Sequence, residues 1–588
     1  MTSLNKTAVV SGPDHWLDRF GRVLIVIVLV LYAIWELLFL LHGSKLPNCY
    51  DELGFLFESL RLPAERRLSG YTHDAGLQEL IAIMESAWYI LERLAGMVHS
   101  PEEFVVSVIE HTHQHLVGCR LIVGITALLL FYQIYRLGKH FGGSAVGALA
   151  SLLTATNLTV VTLGSTCKED ILYWLMLISA FEFCWRTSLT LNRRLAVLTG
   201  VAIGAATATK FLGVFAFLLC VVPLPRAQAV DRQKAFCVGV WMGFCGVIAT
   251  FVFMPFIMTD SAAVFTSIES LHVGTVEGLN RSLAIWSYLW FHLPNLLGWF
   301  CIVLGTLEFG IRLLRDLRGP VLLSIVPFGL LVVMGLRPGF SQAYYAMPLA
   351  LMWMLLTASL VVRITKSNWF GRVSCAAPII VFSIVALDSA YLPGALKHAA
   401  LLFSPETRIE ARDYLLAHAA PNSCVAITTG VMGDNFYGPP LLPLTAPVTS
   451  GGVFRRAQKV IIDRAQGPHF NLRVIEIFEY DPAKVADCEW LVVPSLASSS
   501  LFKPEFGTGG SNLTGMAYRE NIQAPSGFVK VATFRAVPEW HSLLQPFYSA
   551  AEYEKFRHTS FTHIWRSGWY GMTQTIYHNS AVVSDKTG

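Results

Sequence analysis

Apolar residues run in long blocks along the first two thirds of the chain, with short polar connectors between them. A block of about 20 residues is the length that crosses a bilayer as a helix. The first, Val23 to Leu41, carries one acid, Glu36. Further blocks run over 117–135, 143–163 and 171–185. Two short, Gly-broken pieces follow, 195–208 and 211–224, and blocks near 235–257, 285–311, 319–336, 345–362 and 373–392 bring the set to about eleven. The 285–311 block contains Pro294 and opens on a Trp/Tyr cluster of the kind found at membrane interfaces. Asp14 and Asp18 precede the first block and no small-residue cleavage site accompanies it, so it reads as a retained helix rather than a signal peptide.

Composition agrees. The chain is 54% hydrophobic and 14% charged, with mean hydropathy +0.52, where a soluble protein carries about 25% charged residues. That excludes disorder and an ordinary soluble enzyme. Its 588 residues call for at least two domains. A net charge of +4 gives no reason to expect nucleic acid as a partner. The 11 cysteines show no CxxC pair and no zinc spacing, and read mostly as small buried hydrophobes.

Charge placement orients the blocks. Short connectors on one side hold Lys6, Arg19 and Arg22; Arg136 and Lys139; Arg186, Arg193 and Arg194; Arg226, Arg232 and Lys234; Arg312, Arg315 and Arg318; Arg363, Lys366 and Arg372. The opposite connectors hold Lys168, Lys210, Arg281 and Arg337. The positive-inside rule then puts the N-terminus in the cytoplasm and, after eleven crossings, the C-terminal segment outside. The expected fold is a polytopic α-helical membrane domain over 1–392, including an acidic outer loop at 42–116, followed by an extracytoplasmic domain over 393–588. That tail alternates a helix-like stretch, Thr407 to His418, with β-like runs at Cys424 to Ile427, Trp490 to Val493 and Phe528 to Phe534, and is expected to be α/β or α+β. Cys424 and Cys488 share it and could pair.

Ionisable groups at membrane helix ends persist where something offsets their cost. On the expected outer face they are few: Asp51 and Glu52 after the first block, Arg120 opening the second, Lys168, Glu169 and Asp170 in a very short connector, Lys210 between the two short pieces, and Arg337 ahead of Tyr345. Each has a plain structural reading. Asp51 and Glu52 could end a helix in solvent, Asp170 could cap one, and Lys210 could reach the headgroups. Together, paired acids and isolated cations at one depth suggest a site where a carboxylate takes a proton and cations hold an anionic leaving group. A helix break at membrane depth, as at Lys210, survives where it lines a cavity or is buried in protein. His111 and His115 are four apart and could share a divalent metal; a membrane-surface helix is the plainer account. His272 and His292 lie in or near another outer connector, where they could contact donor or acceptor. Glu36 could face the site, and Asp388 could mark the end of the last helix.

The order of these features resembles the polytopic glycosyltransferases of the GT-C fold, nearest the branch of the protein O-mannosyltransferases and the lipid A aminoarabinose transferase. The matching residues are Asp51-Glu52 after the first span, Arg120 opening the second, Lys139-His140-Phe141-Gly142-Gly143, the acidic connector Ser165-Thr166-Cys167-Lys168-Glu169-Asp170, a Gly-rich helix from Gly200 ending in Thr209-Lys210, and Tyr345-Ala346-Met347-Pro348. In the tail, Thr407 to Leu415 resembles the helix that opens the outer domain of bacterial relatives, and Arg566 to Tyr577 their closing strand. One departure is that Gln342-Ala343 stands where the family places a cation before its Tyr-Pro motif; the nearest here is Arg337.

The resemblance implies an enzyme that moves a sugar from a polyprenyl-phosphate donor to an acceptor hydroxyl on a protein, lipid or glycan, with inversion. Asp51 would be the general base, and Glu52 and Asp170 would shape the acceptor side. Lys168, Lys210 and Arg337 would neutralise the phosphate, and Arg120 would position the acidic connector. Glu169, Tyr345 and His272 are further candidates. No metal or other cofactor is implied, and the setting would be a bacterial plasma membrane, among membrane lipid. A transporter, a lipid-linked glycan ligase or polymerase, and a noncatalytic scaffold remain the rival readings.

Overall fold

Helices dominate because the apolar blocks are long and unbroken. The computed structural model describes residues 13–42, 50–62, 75–226, 231–254, 285, 288–315, 320–336, 343–366, parts of 382–396, 406–429, 460, 470–476, 482–494, 527–534 and 574–579. The first helix, α1 (Pro13–His42), buries Ile25, Val28, Tyr32 and Phe39 and exposes Val26, Leu31, Leu37 and Leu41. A helix apolar on its exposed face needs hydrocarbon around it. Three helices of the acidic loop follow: α2 (Tyr50–Ser59), α3 (Ala75–Leu94) and α4 (Pro101–Glu110). Ser100 caps α4 by accepting from Glu103 N.

The long α5 (Thr112–Gly142) turns at Gly143 into α6 (Ser144–Thr156). The 143–163 block reads as one span in the sequence, but it is broken at Asn157, and α7 (Leu158–Gly164) leaves α6 at 68°. The cause is local. Asn157 caps α7 by accepting from Thr159 N and Val160 N, while its own amide donates to Leu296 O at 2.7 Å. Next come α8 (Asp170–Thr190), α9 (Arg193–Thr209), a 3-10 segment (Phe211–Val221) and α10 (Arg232–Phe253). Then α11 (Leu293–Arg315), kinked at Gly298 (φ 67°), α12 (Ile325–Leu336) and α13 (Met347–Lys366) complete the helical body.

Among the described residues, five helices are long and apolar enough to cross a membrane, or six with the bent α6–α7 pair. The chain is therefore a multi-pass membrane protein. The two short pieces of the sequence form α9 and the 3-10 segment, parted at Lys210, whose backbone is extended (φ −152°, ψ 128°). The 373–392 block lies mostly outside the described residues.

Helices α9 and α10 pack through small residues. A Cβ on Gly200 would meet Met242 O at 2.5 Å, and one on Gly204 would meet Gly246 O, and Ala249 Cβ at 2.5 Å. The Gly200-Val201-Ala202-Ile203-Gly204 spacing thus lets α9 and α10 touch at the backbone, the usual device where lipid supplies no hydrophobic drive for helix association.

The C-terminal segment forms α14 (Thr407–His418) and a five-stranded sheet: β1 (Cys424–Thr429), β2 (Asn471–Glu476), β3 (Trp490–Pro494), β4 (Phe528–Phe534) and β5 (Gln574–Asn579). The strand order is β2-β1-β3-β5-β4. β1 lies parallel to β2 and β3, and β5 is antiparallel to β3 and β4. Alternation sorts the side chains. Val425, Ile427, Trp490, Val492 and Ile576 meet Ala411 and Leu415 of α14. Ala426, Leu491 and Val493 point the other way and share one continuous core with the helical body. Cys424 and Cys488 form a disulfide.

Gly204→Leu should lower the thermal midpoint of the detergent-purified protein, because overpacking costs about 1–3 kcal/mol and backbone here leaves no room to yield. Gly243→Ala, whose new atom would meet only Cys220 Sγ at 3.7 Å, should leave the midpoint unchanged or raise it, since Ala suits a helix interior better than Gly.

Candidate functional site

The residues picked out by their placement in the sequence come from four elements: α2, α5, the turn between α7 and α8, and the break after α9. Glu52, in the first turn of α2, is fully buried. Arg120 of α5 grips it with two bonds, Nε to Oε1 at 3.0 Å and Nη2 to Oε2 at 2.9 Å. This fork-to-fork geometry is the strong form of a carboxylate–guanidinium pair. The same Oε1 accepts from Cys167 N at 2.8 Å, so Glu52 also holds the α7–α8 turn. The guanidinium carbon of Arg120 lies 5.7 Å from the Phe39 ring centroid, tying in the end of α1. Asp51 occupies the neighbouring position of α2.

Three residues further along the same turn, α8 begins at Asp170, where an acid suits the helix N-terminus. Lys210 reaches across from the α9 break and donates to Glu169 Oε1 at 2.6 Å and to Asp170 Oδ1 at 2.7 Å. Lys168 Nζ lies 3.9 Å from Asp170 Oδ2. All four side chains are buried. Tyr345, in a 3-10 turn (Ala343–Ala346) just ahead of α13, has its ring centroid 5.4 Å from Lys210 Nζ. The six residues from Ser165 to Asp170 therefore join two charge clusters, Glu52–Arg120 and Lys168–Glu169–Asp170–Lys210, into one buried polar centre among apolar helices.

Several candidates lie apart or outside view. Arg337 and His272 fall outside the described residues, as does the side chain of Asp51. His115 is buried against Glu85 of α3, Nδ1 to Oε2 at 2.8 Å, with the rings of Trp88 and Phe104 beside it. His111 is exposed, so the two do not share a ligand, and no group of three metal-ligating side chains occurs among the described residues. His292 is buried with its ring 5.2 Å from that of Tyr288. Asp388 accepts from Ala390 N at 3.0 Å and packs on Gly298 of α11. Glu36 is buried one turn beneath Arg120, close to Gly124 and Gly164.

Sequence reasoning missed four contributors. The Cys167 amide carries no side-chain signal. Tyr173, one turn after Asp170, is buried within electrostatic reach of Lys210 and Asp170. Gln78 and Glu79 belong to the first turn of α3, which rests on the α9 break: a Cβ on Gly76 would meet Thr209 Oγ1 at 2.7 Å. Gln78 is buried with both amide atoms lacking a hydrogen-bond partner. Glu79 is half-buried, and loss of water pushes its carboxyl up to about 7. An acid and an amide side by side on an otherwise apolar helix stretch were the available signal.

No protein-family model and no curated protein matches the sequence. Among solved structures, the chain is similar to the oligosaccharyltransferase of Archaeoglobus fulgidus in its apo form, with TM-score 0.45 and 10% identity over 95% of this chain and 88% of that one. It is similar to ArnT from Cupriavidus metallidurans in the apo state, with TM-score 0.44 and 11% identity over 94% and 97%. The arabinofuranosyltransferase AftD from Mycobacteria gives 0.40 and 14% over 88% and 38%. All three scores lie below 0.5, and none of them decides donor, acceptor or site.

Glu79 binds its proton more tightly folded, at about 7, than at the ordinary 4.5. Its contribution to stability is complete below 4.5 and is lost as pH rises through 7. Between pH 5 and pH 8 the thermal midpoint of the wild type should therefore fall more than that of Glu79→Gln. Parallel profiles would remove Glu79 from consideration.

Proposed function

We propose that this protein is a membrane glycosyltransferase of the GT-C kind. It moves a sugar from a polyprenyl phosphate to an acceptor hydroxyl at the outer face of a bacterial plasma membrane. One observation carries the reading: the turn Ser165–Asp170 links an Arg-held acid next to Asp51 with a lysine at a helix break, inside a body of membrane helices. Buried charge of both signs, gathered from segments far apart in sequence, is costly to assemble, and a reaction that moves a proton and releases a phosphate uses both signs.

In this mechanism the acceptor oxygen attacks the anomeric carbon while the bond from that carbon to the phosphate oxygen breaks. The configuration inverts and the lipid phosphate leaves with the bonding pair. The acceptor proton passes to Asp51. Glu52, clamped by Arg120, fixes the first turn of α2 and so the position of Asp51. Lys168 and Lys210 face the leaving phosphate, with Arg337 as the third cation, and Glu169 and Asp170 hold Lys210 in place and shape the acceptor side. Tyr345 packs against Lys210. The lipid tail runs along the apolar surface of the short helices around 195–224.

The orientation follows from the charge asymmetry of the connectors, with the N-terminus in the cytoplasm and the sheet outside. The Cys424–Cys488 disulfide suits an oxidising compartment.

The decisive experiment incubates the purified protein with a panel of polyprenyl-phosphate sugars and measures released lipid phosphate. Asp51→Asn should lower turnover by about 10²- to 10⁴-fold, the worth of a general base, at unchanged abundance in the membrane. Near wild-type turnover would refute the base assignment. Lys210→Ala should raise the donor concentration needed for half-maximal rate about tenfold or more, and an unchanged donor dependence would count against its phosphate role.

A further inference from the structure

Gln78 is a buried polar side chain that the mechanism above leaves unused. It is 4% exposed, and neither its Nε2 nor its Oε1 has a hydrogen-bond partner. An amide buried with both halves unsatisfied is costly, and proteins keep few of them. Its place can be read from its own helix. A Cβ on Gly76, two residues earlier on α3, would meet Thr209 Oγ1 at 2.7 Å, next to Lys210. Gln78 lies on the same helical face as Glu85, two turns away, and Glu85 bonds His115 of α5. The short α2, which carries Asp51 and Glu52, packs against α3 as well.

We infer that Gln78 reads a ring hydroxyl of the transferred sugar at this site, between α2 and the α9 break, a specificity role that rests on the glycosyl-transfer reading above. The amide sets a donor nitrogen, Nε2 with two hydrogens, beside an acceptor oxygen, Oε1. A hydroxyl both donates and accepts and satisfies the two together. A phosphate, which only accepts, leaves Oε1 orphaned, and a lipid tail leaves both atoms orphaned. A site built to bond a hydroxyl discriminates strongly against a substrate that lacks it, because the buried amide is then left unpaired.

The test uses full-length protein in lipid nanodiscs and the polyprenyl-phosphate sugar from the panel that wild type turns over, with its set of singly deoxygenated analogues. Gln78→Met keeps length and removes both polar atoms, and Gln78→Leu serves if that variant fails to fold. The expected result is a tenfold or larger fall in kcat/KM with the full sugar. With one deoxy analogue, the same analogue wild type uses poorly, variant and wild type should differ by less than threefold. The thermal midpoint of the variant should be unchanged or higher, since an apolar chain removes the orphaned amide; a purely structural glutamine would lower it. Equal losses across every analogue, or wild-type rates and preferences, would overturn the role of Gln78 while leaving the transferase standing. If wild type turns over no donor in the panel, the transferase reading falls and this inference with it.

Discussion

A carboxyl group buried in a helical membrane body is costly unless polar partners surround it, and Glu52 is surrounded from three sides. Arg120 supplies the fork, Cys167 N supplies a third bond, and Phe39 covers the guanidinium. Each partner belongs to a different stretch of chain, so this one side chain fixes how α1, α2, α5 and the α7–α8 turn meet. Removing a single partner from such a pair costs about 3–5 kcal/mol, because the other charge stays buried. The position of the Lys168–Asp170 connector, and with it the contact to Lys210, depends on that anchor. Without it the two charge clusters would have no common frame.

The charges described at the centre balance. Arg120 offsets Glu52, and Lys168 with Lys210 offset Glu169 and Asp170. A phosphate brought beside these charges adds negative charge, and burial makes that unfavourable. The added charge is offset if a carboxyl binds a proton or if another cation is supplied. In the proposed reaction Arg337 is that cation, and Asp51 is the carboxylate that takes up a proton. On this reading the chemistry and the charge balance demand the same two residues.

Much of this was legible in the sequence. The apolar blocks that fall among the described residues appear as helices, the break at Lys210 falls where the short pieces part, and Glu52, Arg120, Glu169, Asp170 and Lys210 converge in one buried centre. These were readable because charge is rare in the first two thirds of the chain, so each charged residue at a helix end stands out. What escaped depends on backbone and tertiary geometry. The Cys167 N–H has no letter of its own. The bend at Asn157 arises because one polar residue serves at once as helix cap and as donor to Leu296 O, and the second half of that role needs α11 in place. Strand β2 escaped because Asn471-Leu472-Arg473-Val474 alternates too briefly to stand out from its surroundings. Gln78 and Glu79 went unremarked, since their local sequence does not announce that α3 lies against α5 and the end of α9.

The far ends of the same helices hold a second set of buried acids, built differently. Glu182 lies twelve residues beyond Asp170 on α8, about 18 Å along the helix. It is held by Arg136 at 2.9 Å and Arg186 at 3.3 Å, with His140 at 3.4 Å. Glu308 of α11 is held by Arg312 and Arg363, both at 2.7 Å, and Arg312 also donates to Phe141 O at the end of α5. There each acid meets arginines, whose rigid forks lock several helices into one arrangement. Among the described residues at the candidate site, arginine meets Glu52, the anchor, while Glu169 and Asp170 meet lysines. A lysine carries a compact charge on a flexible stem and changes partners without dismantling a planar pair. The division fits the proposed reaction. In it, arginine suits contacts that persist through the cycle, and lysine suits those that let a carboxylate go when a phosphate arrives and take it back when the phosphate departs.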